Sequence, residues 1–191
     1  NAVAATCTED GYSGDEVCAI CGETVKKGET VSATGHKYNV NNTCTVCGHK
    51  YPFTDVLING RHKPYAEPIE WAVNMGITSG YGNGIFKPDM GCTRAQVVTF
   101  LWRAAGSPAP TSTVNPFVDV VNEGAMKPYY TAILWAVENG ITAGTDATHF
   151  SPYTTCTRAQ FVTFLWRYNG SPLPTGDNNP FVDVPKTQNG K

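Results

Sequence analysis

The sequence predicts a mainly α fold: tandem two-helix repeats packed as a pseudo-symmetric bundle, preceded by a small β-rich cysteine-knuckle module. Three observations predict it. A 64-residue segment recurs with no insertion or deletion, apolar residues inside each copy fall at helical spacing between cap and stop signals, and five of the seven cysteines lie within the first 47 residues. The parts are residues 1–50 for the cysteine-rich module, 51–115 and 116–179 for two repeats, and 180–191 for the start of a truncated third.

The first module carries Cys18-x-x-Cys21-Gly and Cys44-x-x-Cys47-Gly. Thiolates at this spacing let backbone N–H groups point at both sulfurs while the pair grips one tetrahedral ion. The stretch between the knuckles is rich in Thr, Val, Gly and Lys, a hairpin composition. A module this short needs a staple beyond its own core. The segment resembles zinc ribbons and the short cysteine/histidine ribbon repeats found beside surface modules in anaerobic Gram-positive bacteria. Cys18, Cys21, Cys44 and Cys47 would hold a structural zinc ion. Cys7, Cys18, Cys21 and His36 form an alternative set, His49 can join Cys44 and Cys47, and disulfides are a third reading.

The repeat begins at Pro52-Phe53-Thr54-Asp55-Val56, which recurs at Pro116 and again at Pro180. Its first helix is expected from Pro64 to Met75, where Tyr65, Ile69, Ala72 and Val73 line one face and Gly76 ends the run. Tyr129, Ile133, Ala136, Val137 and Gly140 repeat this pattern. A glycine-rich loop follows, Gly76 to Gly91 in the first copy. The second helix is expected to open on a capping box, Thr93 with Gln96 and Thr157 with Gln160, and to stop at Gly106-x-Pro108 and Gly170-x-Pro172. Cys92 through Pro108 matches Cys156 through Pro172 at 14 of 17 positions. A two-helix unit with one apolar face must bury it on a neighbouring unit. Cys92 and Cys156 each precede a cap, where a small apolar residue completes a hydrophobic staple with Val97 or Phe161; a bond between them, or to another chain, is the competing reading.

The ordered set Phe53–Val56, Trp71–Val73, Gly76–Gly80, Phe86–Pro88 and Thr93–Ala95, repeated as Phe117–Val120, Trp135–Val137, Gly140–Gly144, Phe150–Pro152 and Thr157–Ala159, resembles the S-layer homology family over residues 51 to 191. The resemblance implies non-covalent anchoring to cell-wall-linked acidic polysaccharide, held in grooves between neighbouring repeats of a three-fold bundle. By motif it assigns glycan contact to Arg94 and Arg158, Trp71 and Trp135, Asp55 and Asp119, and the loop glycines Gly80 and Gly144. Gln96 and Gln160 stand where the family commonly has Glu. Independently of family, an Arg offers a planar fork for a carboxylate and a helix start favours an anion. The bland alternatives are a core role for the tryptophans and turn-capping for the aspartates. Both arginines sit in a helix's first turn, against the dipole preference.

Composition narrows the remaining classes. A net charge of −2 gives no basic field for nucleic acid or anionic lipid. The longest apolar stretches, Val97 to Trp102 and Phe161 to Trp166, are cut by Arg103 and Arg167, far short of the roughly 18 residues a membrane span needs. Carboxylate pairs at catalytic spacing and Ser/His/Asp or Cys/His arrangements do not stand out, and three of four histidines (His36, His49, His62) lie in or beside the first module, leaving His149 in the body. The expectation is a secreted, non-catalytic protein of a bacterial cell surface or wall, cut from a longer parent. A self-assembling subunit of a surface layer or extracellular filament, and hence a homo-oligomer, is the alternative.

Overall fold

The structure, a computed structural model, describes residues 1–176 and 181–184. The expected opening of a third repeat, 180–191, lies largely outside the described residues. The chain divides into two compact units, Asn1–Met90 and Gly91–Lys191.

The first unit opens with four short strands: β1 (Gly11–Tyr12), β2 (Glu16–Val17), β3 (Thr24–Lys26) and β4 (Thr30–Val31). β1 pairs with β4 and β2 with β3, both antiparallel. Strands this short hold little by themselves. Longer-range backbone bonds complete the frame, from Thr34 N–H to the Thr6 carbonyl and from Thr45 N–H to the Lys37 carbonyl, both 2.9 Å. Helix α1 follows, Lys63–Asn74, with Pro64 in its first turn where a missing N–H costs nothing. It ends at Met75, and Gly76 then takes φ +69°, the left-handed turn the sequence called for. Ala66 and Ile69 of α1 pack with Tyr51, Phe53, Val56 and Ile58 as the unit's core.

The second unit holds α2 (Arg94–Ala104), α3 (Lys127–Glu138) and α4 (Arg158–Tyr168), with one 3-10 turn, Gly124–Met126, before α3. Both capping boxes are present: Thr93 accepts from Gln96 N–H and Gln96 caps Thr93 N–H, and Thr157 with Gln160 does the same. α2 packs on α3 and α4. Val98, Leu101, Phe117, Val120, Ile133, Ile141, Phe150 and Phe164 form the core between them.

The mainly α bundle expected from the sequence is corrected here. Among the described residues helix accounts for 27%, in four α-helices of 11 or 12 residues and the 3-10 turn, beside small antiparallel sheets. The β-rich first module is present, but the helices of the second unit do not pair copy by copy: α2, from the first copy, is completed by α3 and α4 of the second. Two features set the low helix content. Nineteen glycines and thirteen prolines interrupt helical runs. The loops are stable without helix because a buried-side carboxylate closes each: both oxygens of Asp55 accept from the N–H groups of Phe86 and Lys87, at 2.9 and 2.7 Å, and Asp119 holds Phe150 and Ser151 at 2.9 and 2.8 Å.

Candidate functional site

Two places gather chemistry. The first is a groove of about 380 Å³ in the second unit, lined among others by Arg94, Arg167, Gln160, Thr142, Thr145 and Gly144. Its described lining carries two guanidiniums and no carboxylate. Arg94 enters it because the capping box fixes the first turn of α2. The Arg94 side chain is buried, lies over the Phe150 and Phe164 rings at 4.8 and 5.2 Å, and donates from Nε to the Phe150 carbonyl at 2.9 Å. Burial pulls its pKa below the usual arginine value. Its Nη2 is the one buried side-chain polar atom among the described residues with no hydrogen-bond partner. A buried donor left unpaired on a charged group is costly. Arg167 donates from Nη1 to the Ile141 carbonyl at 3.4 Å.

The other expected glycan contacts divide. Arg158 is exposed, because the same motif that buries Arg94 under the second copy has no further copy over it among the described residues. Trp135 is buried at 6% exposure, 6.1 Å from the Tyr168 ring, whereas Trp71 stands 59% exposed. Asp55 and Asp119 spend both oxygens on backbone N–H groups. At Asp55 burial works to raise the carboxyl pKa, and the Phe86 and Lys87 amides outweigh it and bring it below the usual value. Gly80 and Gly144 have φ +69° and +86°, and a Cβ there would come within 2.8 and 2.6 Å of the Phe53 and Phe117 rings. Packing alone demands these glycines; Gly144 also lines the groove. The sequence marks Arg167 only as the residue that ends an apolar run.

The second place is in the first unit. Cys7, His36, Cys44 and Cys47 bring one ligand atom each within 4.8 Å of one another. Cys7 Sγ and Cys44 Sγ are 3.8 Å apart, and Cys47 Sγ and His36 Nδ1 are 3.3 Å apart. A tetrahedral ion with metal–sulfur bonds of about 2.3 Å has sulfur–sulfur edges of about 3.8 Å, so this donor set fits a metal ion of zinc type. The Thr6–Thr34 and Lys37–Thr45 backbone bonds bring these four together. Cys18 and Cys21 join neither metal-compatible group, since their knuckle is the turn of the β2–β3 hairpin, closed by the 2.8 Å bond from Cys18 N–H to the Glu23 carbonyl. Each sequence-expected ligand set is therefore split: Cys44 and Cys47 of one meet Cys7 and His36 of the other.

The local field favours the thiolate at Cys44 and opposes it at Cys7. The Cys47 and Val46 amides, with Lys37 N–H and the His36 ring, bring Cys44 down to about 5 against the effect of burial. Burial, and then the neighbouring Cys47 and Cys44 thiols, push Cys7 up to about 11. Within the Cys18 knuckle, the Cys21 and Ile20 amides hold the Cys18 thiol below its usual value. Behind the cluster, His36 stacks on His49 at 4.6 Å, His49 Nε2 meets Glu70 Oε1 at 2.5 Å, and Tyr38 donates to Glu70 at 2.7 Å. Glu70 is a buried residue of α1 that the sequence reading missed. The signal was there: the second copy has Leu134 at the matching position, also buried.

Comparison with known proteins adds two findings. The S-layer homology domain family matches residues 52–98 and 123–162. The Surface-layer 125 kDa protein of Lysinibacillus sphaericus is 35% identical over 99 residues, which is 52% of this chain and 8% of that protein. The chain thus spans a small part of that relative's length. Among the described residues no helix is long and apolar enough to cross a membrane.

Proposed function

We propose that this chain, whose residues 52–98 and 123–162 match the S-layer homology domain family, is a non-catalytic anchoring module that binds acidic cell-wall polysaccharide. Its cell-surface or cell-wall location follows from the same match and from the surface-layer relative. The observation that carries the binding reading is the unpaired, buried Nη2 of Arg94 beside a groove that holds a second guanidinium and no carboxylate. A sugar carboxylate or ketal acid supplies the missing acceptor, and Arg167, Gln160 and Thr145 offer further polar contacts. Arg158 and Trp71 are secondary candidates because both are open to solvent.

The test is co-sedimentation with Lysinibacillus sphaericus sacculi, intact or stripped of wall polysaccharide with hydrofluoric acid. Retention on intact sacculi alone is expected. Equal retention on both, or none on either by a chain whose circular dichroism is native, rejects the reading.

On the same reading the Cys7, His36, Cys44 and Cys47 cluster holds a structural zinc ion, supported by its sulfur spacing and by Glu70 and His49 behind His36. Zinc there would supply a redox-inert cross-link between segments that share little core.

A second reading, a self-assembling surface-layer or filament subunit, is favoured by one observation. Phe161, Val162 and Leu165 of α4 are exposed, whereas their counterparts Val97, Val98 and Leu101 of α2 are buried. Sedimentation velocity decides it: a monomer at every concentration up to the millimolar range removes this reading.

A further inference from the structure

We infer that Cys92 and Cys156 form a disulfide that ties the start of α2 to the start of α4. Thr93 and Thr155 make an antiparallel bridge. The flanking bonds run from Cys156 N–H to the Cys92 carbonyl and from Arg94 N–H to the Thr154 carbonyl, both 2.9 Å. This register sets Cys92 directly opposite Cys156, at a position of the hydrogen-bonded type that makes one of its two bonds, from Cys156 N–H to the Cys92 carbonyl. Such pairs have Cα atoms about 5.5 Å apart, inside the roughly 4.4–6.8 Å that a disulfide spans. Their side chains leave the same face of the bridge. The Cys156 thiol donates to the Thr157 carbonyl at 3.7 Å, a contact it gives up on closure.

Other roles for the pair fit less well. No His, Asp or Glu joins them in a metal-compatible group among the described residues. A staple would bury both thiols, yet Cys92 is exposed and only Cys156 packs against the core. Exposure also leaves Cys92 open to an oxidant, and a cell-surface location is where structural disulfides persist.

In the reaction the two thiols lose two protons and two electrons and one S–S bond forms. The acceptor is a small-molecule or protein disulfide, which takes up both and leaves as two thiols. The bond closes a loop of 64 residues, the repeat length itself, because the two cysteines hold the same position in successive copies. Arg94 and Gln160, both lining the groove, stand two and four residues beyond the bonded cysteines. Locking the two helix starts fixes one edge of that groove.

The experiment is oxidation of the full chain in glutathione disulfide with zinc present, then non-reducing proteolysis and mass spectrometry. The expected result is a Cys92–Cys156 peptide pair, 2 Da lighter than its reduced components, in most chains. A Cys92→Ser/Cys156→Ser variant should melt lower than the oxidised wild type by on the order of 10 °C, and no lower than the wild type reduced at this pair. The inference is overturned if both cysteines are alkylated as free thiols after oxidation. It is equally overturned if Cys92 or Cys156 appears only in a covalent dimer on a non-reducing gel.

Discussion

Replacing Arg94 with lysine separates charge from geometry. Lysine keeps the cation but removes the planar fork, whose Cζ lies over the Phe150 and Phe164 rings. Two bonds are at stake. The Nε donation to the Phe150 carbonyl is internal, and its loss lowers fold stability by about 1 kcal/mol. The unpaired Nη2 is the donor left for a ligand, and a hydrogen bond between charged groups is worth about 1.5–3 kcal/mol. Affinity for the acidic wall polymer should therefore fall roughly 10- to 100-fold. Arg158→Lys, at an exposed site, should change it by about 0.5 kcal/mol or less, roughly twofold. Titration calorimetry on polymer released from sacculi, with thermal melts run alongside, measures both. Equal losses for the two variants, or an unchanged affinity for Arg94→Lys, would show that the buried arginine is a packing residue and not the ligand's partner.

Further outcomes follow from the same geometry. Inductively coupled plasma mass spectrometry of the zinc-loaded chain should find about one ion, lost in Cys44→Ser or Cys47→Ser and kept in Cys21→Ser; loss in all three would point back to the four-knuckle set. Gly144→Ala should destabilise by about 2 kcal/mol or more in urea, since the new Cβ meets the Phe117 ring at 2.6 Å at φ +86°; a change under about 0.5 kcal/mol would remove the packing account. Asp55 has a folded pKa below its ordinary 3.8, so the unfolded chain takes up the proton more readily. Its contribution is complete above that value and lost as pH falls through the folded pKa. The stability gap between wild type and Asp55→Asn should therefore be constant from pH 6 to pH 5 and close toward pH 2 in thermal melts; a gap independent of pH refutes it.

How much of this was legible in the sequence depended on distance along the chain. The caps at Thr93 and Thr157 and the turns at Gly76 and Gly140 rest on contacts a few residues long, and each appears where the spacing put it. The helix content was overestimated because Asp55 and Asp119 reach 31 residues forward to hold loops that lack regular structure. The cysteine/histidine cluster was half legible. The Cys44–Cys47 knuckle is local, but its partners arrive through the Thr6–Thr34 pairing, which no spacing rule reveals. Identical motifs also diverged: Arg94 and Arg158 share the Thr-Arg-Ala-Gln context, and among the described residues the second copy covers Arg94 while Arg158 is exposed. Glu70 and Leu134 occupy matching buried positions, and only the first is polar.

The completion of α2 by α3 and α4 bears on how such a chain can be shuffled or grafted. The period of the sequence invites cutting at residue 115, between copies. A cut there would strand Val97, Val98 and Leu101 without the helices that cover them. The transplantable piece begins instead near Gly91, at the border of the two compact units. A recombination junction that survives selection should lie in the loop before the Thr-Arg-Ala helix, so the heritable module and the visible repeat are out of phase.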